Sequence, residues 1–521
     1  MRRRDFLAAG AATLLTSAMP MPAALAQTAA SSRPRLAMPP VLDTTETDRV
    51  DLTAQFGSTD FFDGAATRTI GYNQGYLGPV IRMAPGGLGA QVRNALDVPV
   101  TVHWHGLLVP GEHDGGPQAA IRSGASWSAN MQIDQPPATA FYHTHAHGRT
   151  ASDVYAGLAG VIHLTDGRDD DRGLPSAYGV DDLTLVLQDR RFDTGGRMTY
   201  DLSMMDVMHG FVGEVMVVNG QIDAVAAVPK GVTRLRLVNG SNARIYTLFM
   251  SDDRPMHLVA TDGGFLDVPI ALETLILSPG ERAEVLVDFG DGRSVALMSG
   301  GDPNQGPMGM MGRMRGVINR VIDRSFTVLD FAIDDTLPVR IDAVPDTLDG
   351  AMPDLDGTDV RTRRVSLDMG MGPGGGMGPG MMGPGGMMGP GGMMGRGMMD
   401  GEGFRGPMMS GMGVFGINGR PYDMDRIDYE VGLGTTERWI VESPMLAHPF
   451  HIHGAMFQVV REDGRAPRPE HRGWKDTVLV TGETELLVRF DRPASADFPF
   501  MFHCHILEHE DRGMMGQMTV S

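Results

Sequence analysis

The sequence predicts an all-β protein of several β-sandwich domains, and three observations carry that expectation. Short runs rich in Val, Ile, Leu and Thr recur between Gly, Pro, Asn and Asp; Leu183-Thr-Leu-Val-Leu-Gln188, Thr233-Arg-Leu-Arg-Leu-Val238 and Ala283-Glu-Val-Leu-Val-Asp288 are examples. Sustained helical periodicity is scarce. At 521 residues the chain suits two or three domains, with enough apolar content to give each a core.

The first residues read as an address. Arg2, Arg3 and Arg4 precede Asp5-Phe6-Leu7, and an Ala/Leu-rich stretch then ends at Ala24-Leu25-Ala26. A basic start, a short apolar run and an A-x-A-like end make a cleavable signal peptide over residues 1–26. The Arg-Arg-x-Phe-Leu arrangement points to the twin-arginine route, so the mature protein is expected to begin near Gln27 and reside in the periplasm. No other stretch is long and apolar enough to span a bilayer. Lys+Arg number 44 against 64 Asp+Glu, a net charge of −20, which argues against nucleic acid and anionic membranes as partners.

Cys504 is the one cysteine, so no internal disulfide can form. It lies in His503-Cys504-His505-Ile-Leu-Glu-His509-Glu510-Asp511-Arg-Gly-Met514. A blue-type copper needs one thiolate, two imidazoles and a weak axial thioether. Cys504, His509 and Met514 supply three of these from one strand and its following loop, with Met515 adjacent as a rival axial group, and His448 is the candidate for the fourth.

Three further H-x-H pairs accompany this segment: His103-Trp-His105, His143-Thr-His145 and His451-Ile-His453. On a strand, residues i and i+2 share a face roughly 6.5–7 Å apart, a spacing suited to two neighbouring metals. With His503 and His505 the pairs give eight imidazoles, enough for three coppers with two, three and three ligands. His503 and His505 face one way and Cys504 the other, which makes one strand a covalent link between two metal sites. Ten of the 16 histidines fall in these positions. His113, His147, His163, His209, His257 and His471 show no such pairing and read as ordinary residues, His147 alone lying close enough to His145 to support a ligand.

These blocks, in this order, resemble the copper motifs of multicopper oxidases, and among them the bacterial periplasmic cuprous oxidases of the copper-efflux type. The likeness extends through His105-Gly-Leu-Leu-Val-Pro-Gly-Glu-His-Asp114 and Gly473-Trp-Lys-Asp-Thr477, and through Asn242-Ala-Arg-Ile-Tyr246 and Ala260-Thr-Asp-Gly-Gly264 in the middle of the chain. The resemblance implies three cupredoxin-like Greek-key domains, at about 45–168, 180–333 and 360–521, joined in part by 335–359. It implies four coppers. A type 1 ion would be held by His448, Cys504, His509 and Met514, and a type 2 ion by His103 and His451. A type 3 pair would be held by His105, His143, His145, His453, His503 and His505. Asp114 and Glu510 match acidic positions that relay protons. The implied reaction couples one-electron oxidation of Cu(I), or of a small organic reductant, to reduction of dioxygen to water, in a monomer.

From Met369 to Met412 the chain repeats Gly-Pro-Gly-Gly-Met-Met and cannot build a core, which predicts a flexible insertion in the third domain. Its thioethers suit Cu(I), and Met308, Met310, Met311 and Met314, or Met204, Met205 and Met208, extend the same chemistry. One departure from the cuprous-oxidase pattern stands at Glu442-Ser-Pro444-Met445-Leu446-Ala447, where a methionine is present and the aspartate is not. An additional substrate-copper site is therefore expected at Met445, Met369 and Asp368. Two other classes stay open: a laccase-like phenol oxidase, and a non-catalytic division or assembly factor on the same fold.

Overall fold

The computed structural model describes residues 33–302, 304, 325–350, 355–370 and 414–521. The expected signal segment, Met308, Met310, Met311, Met314 and all but the first two residues of the methionine-rich stretch lie outside the described residues.

Six sheets pair into three sandwiches. In domain 1 a four-stranded sheet (Val41–Asp43, Val80–Met83, Ala159–Leu164, Ala138–His143) faces a second of four (Ala66–Tyr72, Arg49–Asp60, Gly86–Asn94, Ser126–Ile133). Domain 2 combines sheets of seven and five strands, and domain 3 two sheets of five. Each sandwich sets its first long strand parallel to a later one: Arg49–Asp60 beside Gly86–Asn94, Asp182–Phe192 beside Val232–Asn239, and Thr362–Gly370 beside Thr435–Glu442. Parallel neighbours require a crossover rather than a hairpin. The threefold recurrence of that crossover is the cupredoxin-like Greek key.

Gly86–Asn94 alternates buried and open positions, as a half-covered strand should. Val232–Asn239 does not, because all eight residues are buried. The face that carries Arg234 and Arg236 is covered because it meets domain 1. Arg236 forks onto Asp182 at 2.7 and 3.0 Å and reaches Thr139 of domain 1 at 3.2 Å. Phe61, Tyr76 and Phe141 of domain 1 pack with Val186, Val217 and Val238 of domain 2 to complete the seam.

In domain 3 the strand Thr362–Gly370 pairs with Val414–Ile417, placing Met369 opposite Phe415. Val365, Leu367 and Met369 point inward at alternate positions, so Met369 belongs to the domain core. The strand Phe500–Cys504 lies between His448–Ile452 and Met515–Val520.

Candidate metal centre

The four H-x-H pairs are zipped two by two. In domain 1, His103 and His143 exchange backbone hydrogen bonds of 2.8 and 3.1 Å. In domain 3, His451 stands opposite His503 in the ladder. Period-two geometry then places His103, His105, His143 and His145 on one domain facing His451, His453, His503 and His505 on the other. All eight are at most 2 % exposed. The halves interdigitate: the His103 ring stacks on His453, and His105 on His451, each at 3.7 Å between centroids.

Hydrogen bonds fix which nitrogen is free in six of the eight rings. The Nδ1–H groups of His103, His143, His451 and His503 donate to the carbonyls of Asp114 (3.0 Å), Thr144 (2.9 Å), Asp476 (2.9 Å) and Cys504 (3.0 Å). That of His453 donates to Asp114 Oδ2 at 2.7 Å. The Nε2 lone pairs are left to converge: His145 and His453 reach His503 Nε2 at 3.3 and 3.2 Å, and His103 reaches His451 Nε2 at 3.4 Å. His105 is reversed, its Nε2 on Asp476 Oδ1 at 3.0 Å and its buried Nδ1 without a partner. Both ring nitrogens of His505 are buried and unpartnered. Imidazole nitrogens converging in this way can coordinate a cation, and buried imidazole suits copper. Burial, followed by repulsion from neighbouring imidazoles, holds His143, His145, His453, His503 and His505 well below the usual histidine range, which favours the neutral form that a metal requires.

On the other face of the same strand, the ligand atoms of His448, Cys504 and His509 lie within 4.8 Å of one another. His509 Nδ1 is 3.8 Å from Cys504 Sγ, which also accepts from Ile506 N at 3.3 Å. Burial pushes the Cys504 thiol up, so only a bound cation would keep it as thiolate there. Met514 packs with Cys504 in the domain 3 core, while Met515 enters the ladder opposite His503. Ser443 Oγ donates to Leu446 O and accepts from His448 Nδ1 at 2.7 Å, which leaves His448 Nε2 as the free nitrogen. The chemistry of both donor sets fits copper.

The two acidic residues flagged in the sequence touch imidazoles. Asp114 binds His453 and lies 3.3 Å from His103 Nδ1, and Glu510 sits 3.5 Å from His145 Nδ1 and 3.4 Å from His503 Nδ1. Met445 is exposed, Met369 is buried, and Asp368 bonds Ser366 Oγ and Gly419 N, both at 2.6 Å. His147 is exposed, with its ring on Tyr422. Four residues that support the candidate ligands directly or through a neighbour were not singled out from the sequence: Asp476, Arg282, Asn304 and Ser443. Asp476 lies inside the quoted Gly473–Thr477 motif and Ser443 inside the quoted Glu442–Ala447 stretch, and the other two carried no local signal.

Profiles described as Multicopper oxidase match residues 54–169, 178–303 and 396–521. Curated relatives are the Cell division protein FtsP of Yersinia pestis, 35 % identical over 521 residues covering 100 % of this chain and 98 % of that one, and FtsP of Escherichia coli, 35 % identical over 525 residues covering 100 % and 99 %. Among solved structures, the laccase-like multicopper oxidase CueO of Ochrobactrum sp., described as having oxidase activity towards lignin model compounds, is 39 % identical with a TM-score of 0.80, covering 93 % and 100 % of the two chains. A Campylobacter jejuni multicopper oxidase, described as a metallo-oxidase, is 26 % identical with a TM-score of 0.74 over 94 % and 96 %.

The curated relatives correct one expectation. Oxidation of Cu(I), or of a phenol, coupled to dioxygen reduction is overturned as the assigned function, because relatives matching the whole chain are named cell division proteins and not oxidases. The physical reason is that ligand motifs specify what a site can hold and leave open what the fold is used for. The fold, the profiles and the histidine framework agree on kinship: this chain belongs to the multicopper oxidase family.

Proposed function

We propose that this chain is an exported, copper-holding assembly protein of cell division. The observation that carries the reading is the end-to-end similarity to the FtsP proteins, which leaves no part of the chain unmatched. The basic, apolar, A-x-A-like start of the sequence supports periplasmic delivery by the twin-arginine route. No helix among the described residues is long and apolar enough to cross a membrane. The three domains span about 45–168, 180–333 and 360–521.

Copper in this reading is architectural. One ion is held by His448, Cys504, His509 and Met514, one by His103 and His451, and a pair by the other six histidines. Because the eight clustered imidazoles come equally from domains 1 and 3, ions among them join the two ends of the chain into one rigid body. Asp114 and Glu510 then serve to hold ligand rings.

Deleting the gene in its own host and measuring cell length tests the role. Elongated cells restored by the wild-type chain, and equally by Cys504→Ser, are the expected result. Unchanged cell length on deletion, or sustained oxygen uptake by the copper-loaded chain with Cu(I) or a phenol, would overturn the reading.

A further inference from the structure

Domain 2 contributes none of the twelve copper-facing residues, yet one of its turns grips the histidine cluster. Residues 278–281 connect the strands Leu275–Leu277 and Arg282–Asp288. The turn is itself locked, since Glu281 Oε2 accepts from Ser278 N and Oγ at 2.7 Å each, and Gly280 N donates to Asn239 O at 3.0 Å. Gly280 has φ +81°, and a Cβ there would lie 2.8 Å from His505 Cδ2. Since His505 has no hydrogen bond at either nitrogen, packing holds its ring, against the Gly280 turn on one side and the His105 and His143 rings on others.

Arg282 continues the grip. Its Nη1 and Nη2 reach Asp476 Oδ1 and Oδ2 at 2.7 and 2.6 Å. Its remaining N–H groups donate to Thr139 O (3.1 Å), Gly280 O (2.9 Å) and Asp262 O (3.1 Å), so all five donors are used. Asp476 Oδ1 in turn meets His105 Nε2, and the Asp476 carbonyl accepts from His451 Nδ1. A Cβ at Gly106, beside His105, would lie 2.6 Å from Arg282 Nη2. Three histidines from two domains are thus oriented through a third.

We infer that Gly280 and Arg282 are positioning residues that set copper affinity at the histidine cluster and leave the Cys504 site untouched. The proposal rests on the copper-holding reading above. A planar fork on a ligand-bearing carboxylate cannot be replaced by a point charge, so Arg282→Lys keeps the charge and loses the alignment. Partners that orient metal ligands typically change affinity 10- to 100-fold when altered.

The test is competition of copper between the full-length protein and a chelator of known affinity. The Cys504 site is followed by its thiolate-to-copper absorption and the cluster by remaining copper and its paramagnetic resonance. Arg282→Lys and, independently, Gly280→Ala are expected to weaken cluster copper about 10- to 100-fold, with the thiolate band retained at wild-type affinity. Arg363→Lys is the control, a buried arginine bound to Glu437 in domain 3. Wild-type cluster affinity in both variants, an equal loss in Arg363→Lys, or a parallel loss at Cys504 overturns the proposal. Absence of copper from the wild-type protein would instead sink the copper-holding reading on which it stands.

Discussion

The histidine cluster draws four residues from each of two domains, whereas the Cys504 site takes its candidate ligands from domain 3 alone. Their supports differ accordingly. Cluster rings are held by backbone carbonyls and buried carboxylates, with Asp114 and Asp476 each touching two of them. The Cys504 site sits in an apolar core beside Phe450, Phe502 and Met514, to which domain 2 adds Ala243 and packs Val207, Met208 and Val212. There, Met208 O lies 3.3 Å from His509 Nε2. Asn304 clamps the residue before His448 through Nδ2 to Ala447 O at 2.6 Å and Ala447 N to Oδ1 at 2.9 Å. One site joins domains; the other is borrowed from a domain's interior.

Acid should separate the two most strongly. Nine histidines of the two sites are held below the ordinary value by burial: His105, His143, His145, His451, His453, His503 and His505 in the cluster, His448 at about 3, and His509. A base depressed in the folded state stabilises above its unfolded pKa of about 6.5, and that contribution is lost as pH falls below it. Each such proton steepens the loss by about 1.4 kcal/mol per pH unit. Seven of the nine belong to the cluster, so copper-free protein should lose stability steeply between about pH 6.5 and 5, beginning at the domain 1–domain 3 seam. Denaturant midpoints measured across that range check this. A flat profile would mean that the copper-free histidines are already hydrated, with the seam open.

The contrast also explains what the sequence disclosed. Cys504, His509 and Met514 fall within eleven residues, and each H-x-H pair is local, so strand periodicity alone put the ligands on faces. The β-rich fold was legible for the same reason. Supports were not, because they act across sequence: Arg282 is 194 residues from Asp476 and Asn304 is 143 from Ala447. The burial of Arg234 and Arg236 was equally illegible, since alternation marks a face without saying whether water or another domain covers it. Biological role was least legible, because it depends on surfaces and partners that ligand spacing does not encode.

Breaking the rim of the Cys504 site gives the next effect in size. Asn304→Ala leaves the amide and carbonyl of Ala447 buried and unpaired, at a cost of about 3 kcal/mol. Because His448 follows directly, the thiolate-to-copper band should weaken while cluster copper stays. Equilibrium unfolding and the copper competition measure the two arms. An equal loss at both sites would show that the clamp serves the whole interface.

Ser443→Ala is the gentlest probe and tests the ring rather than the strand. Ser443 Oγ uses its proton on Leu446 O and its lone pair on His448 Nδ1–H, which forces His448 to offer Nε2. Alanine removes both bonds at a buried position, but the Leu446 carbonyl retains a second lone pair and the imidazole can turn. The expected cost is about 1 kcal/mol. A freed ring can present either nitrogen to the site, so the thiolate-to-copper band should broaden and shift with little copper lost. An unchanged band would mean that the surrounding apolar packing, not this hydroxyl, selects the nitrogen His448 offers.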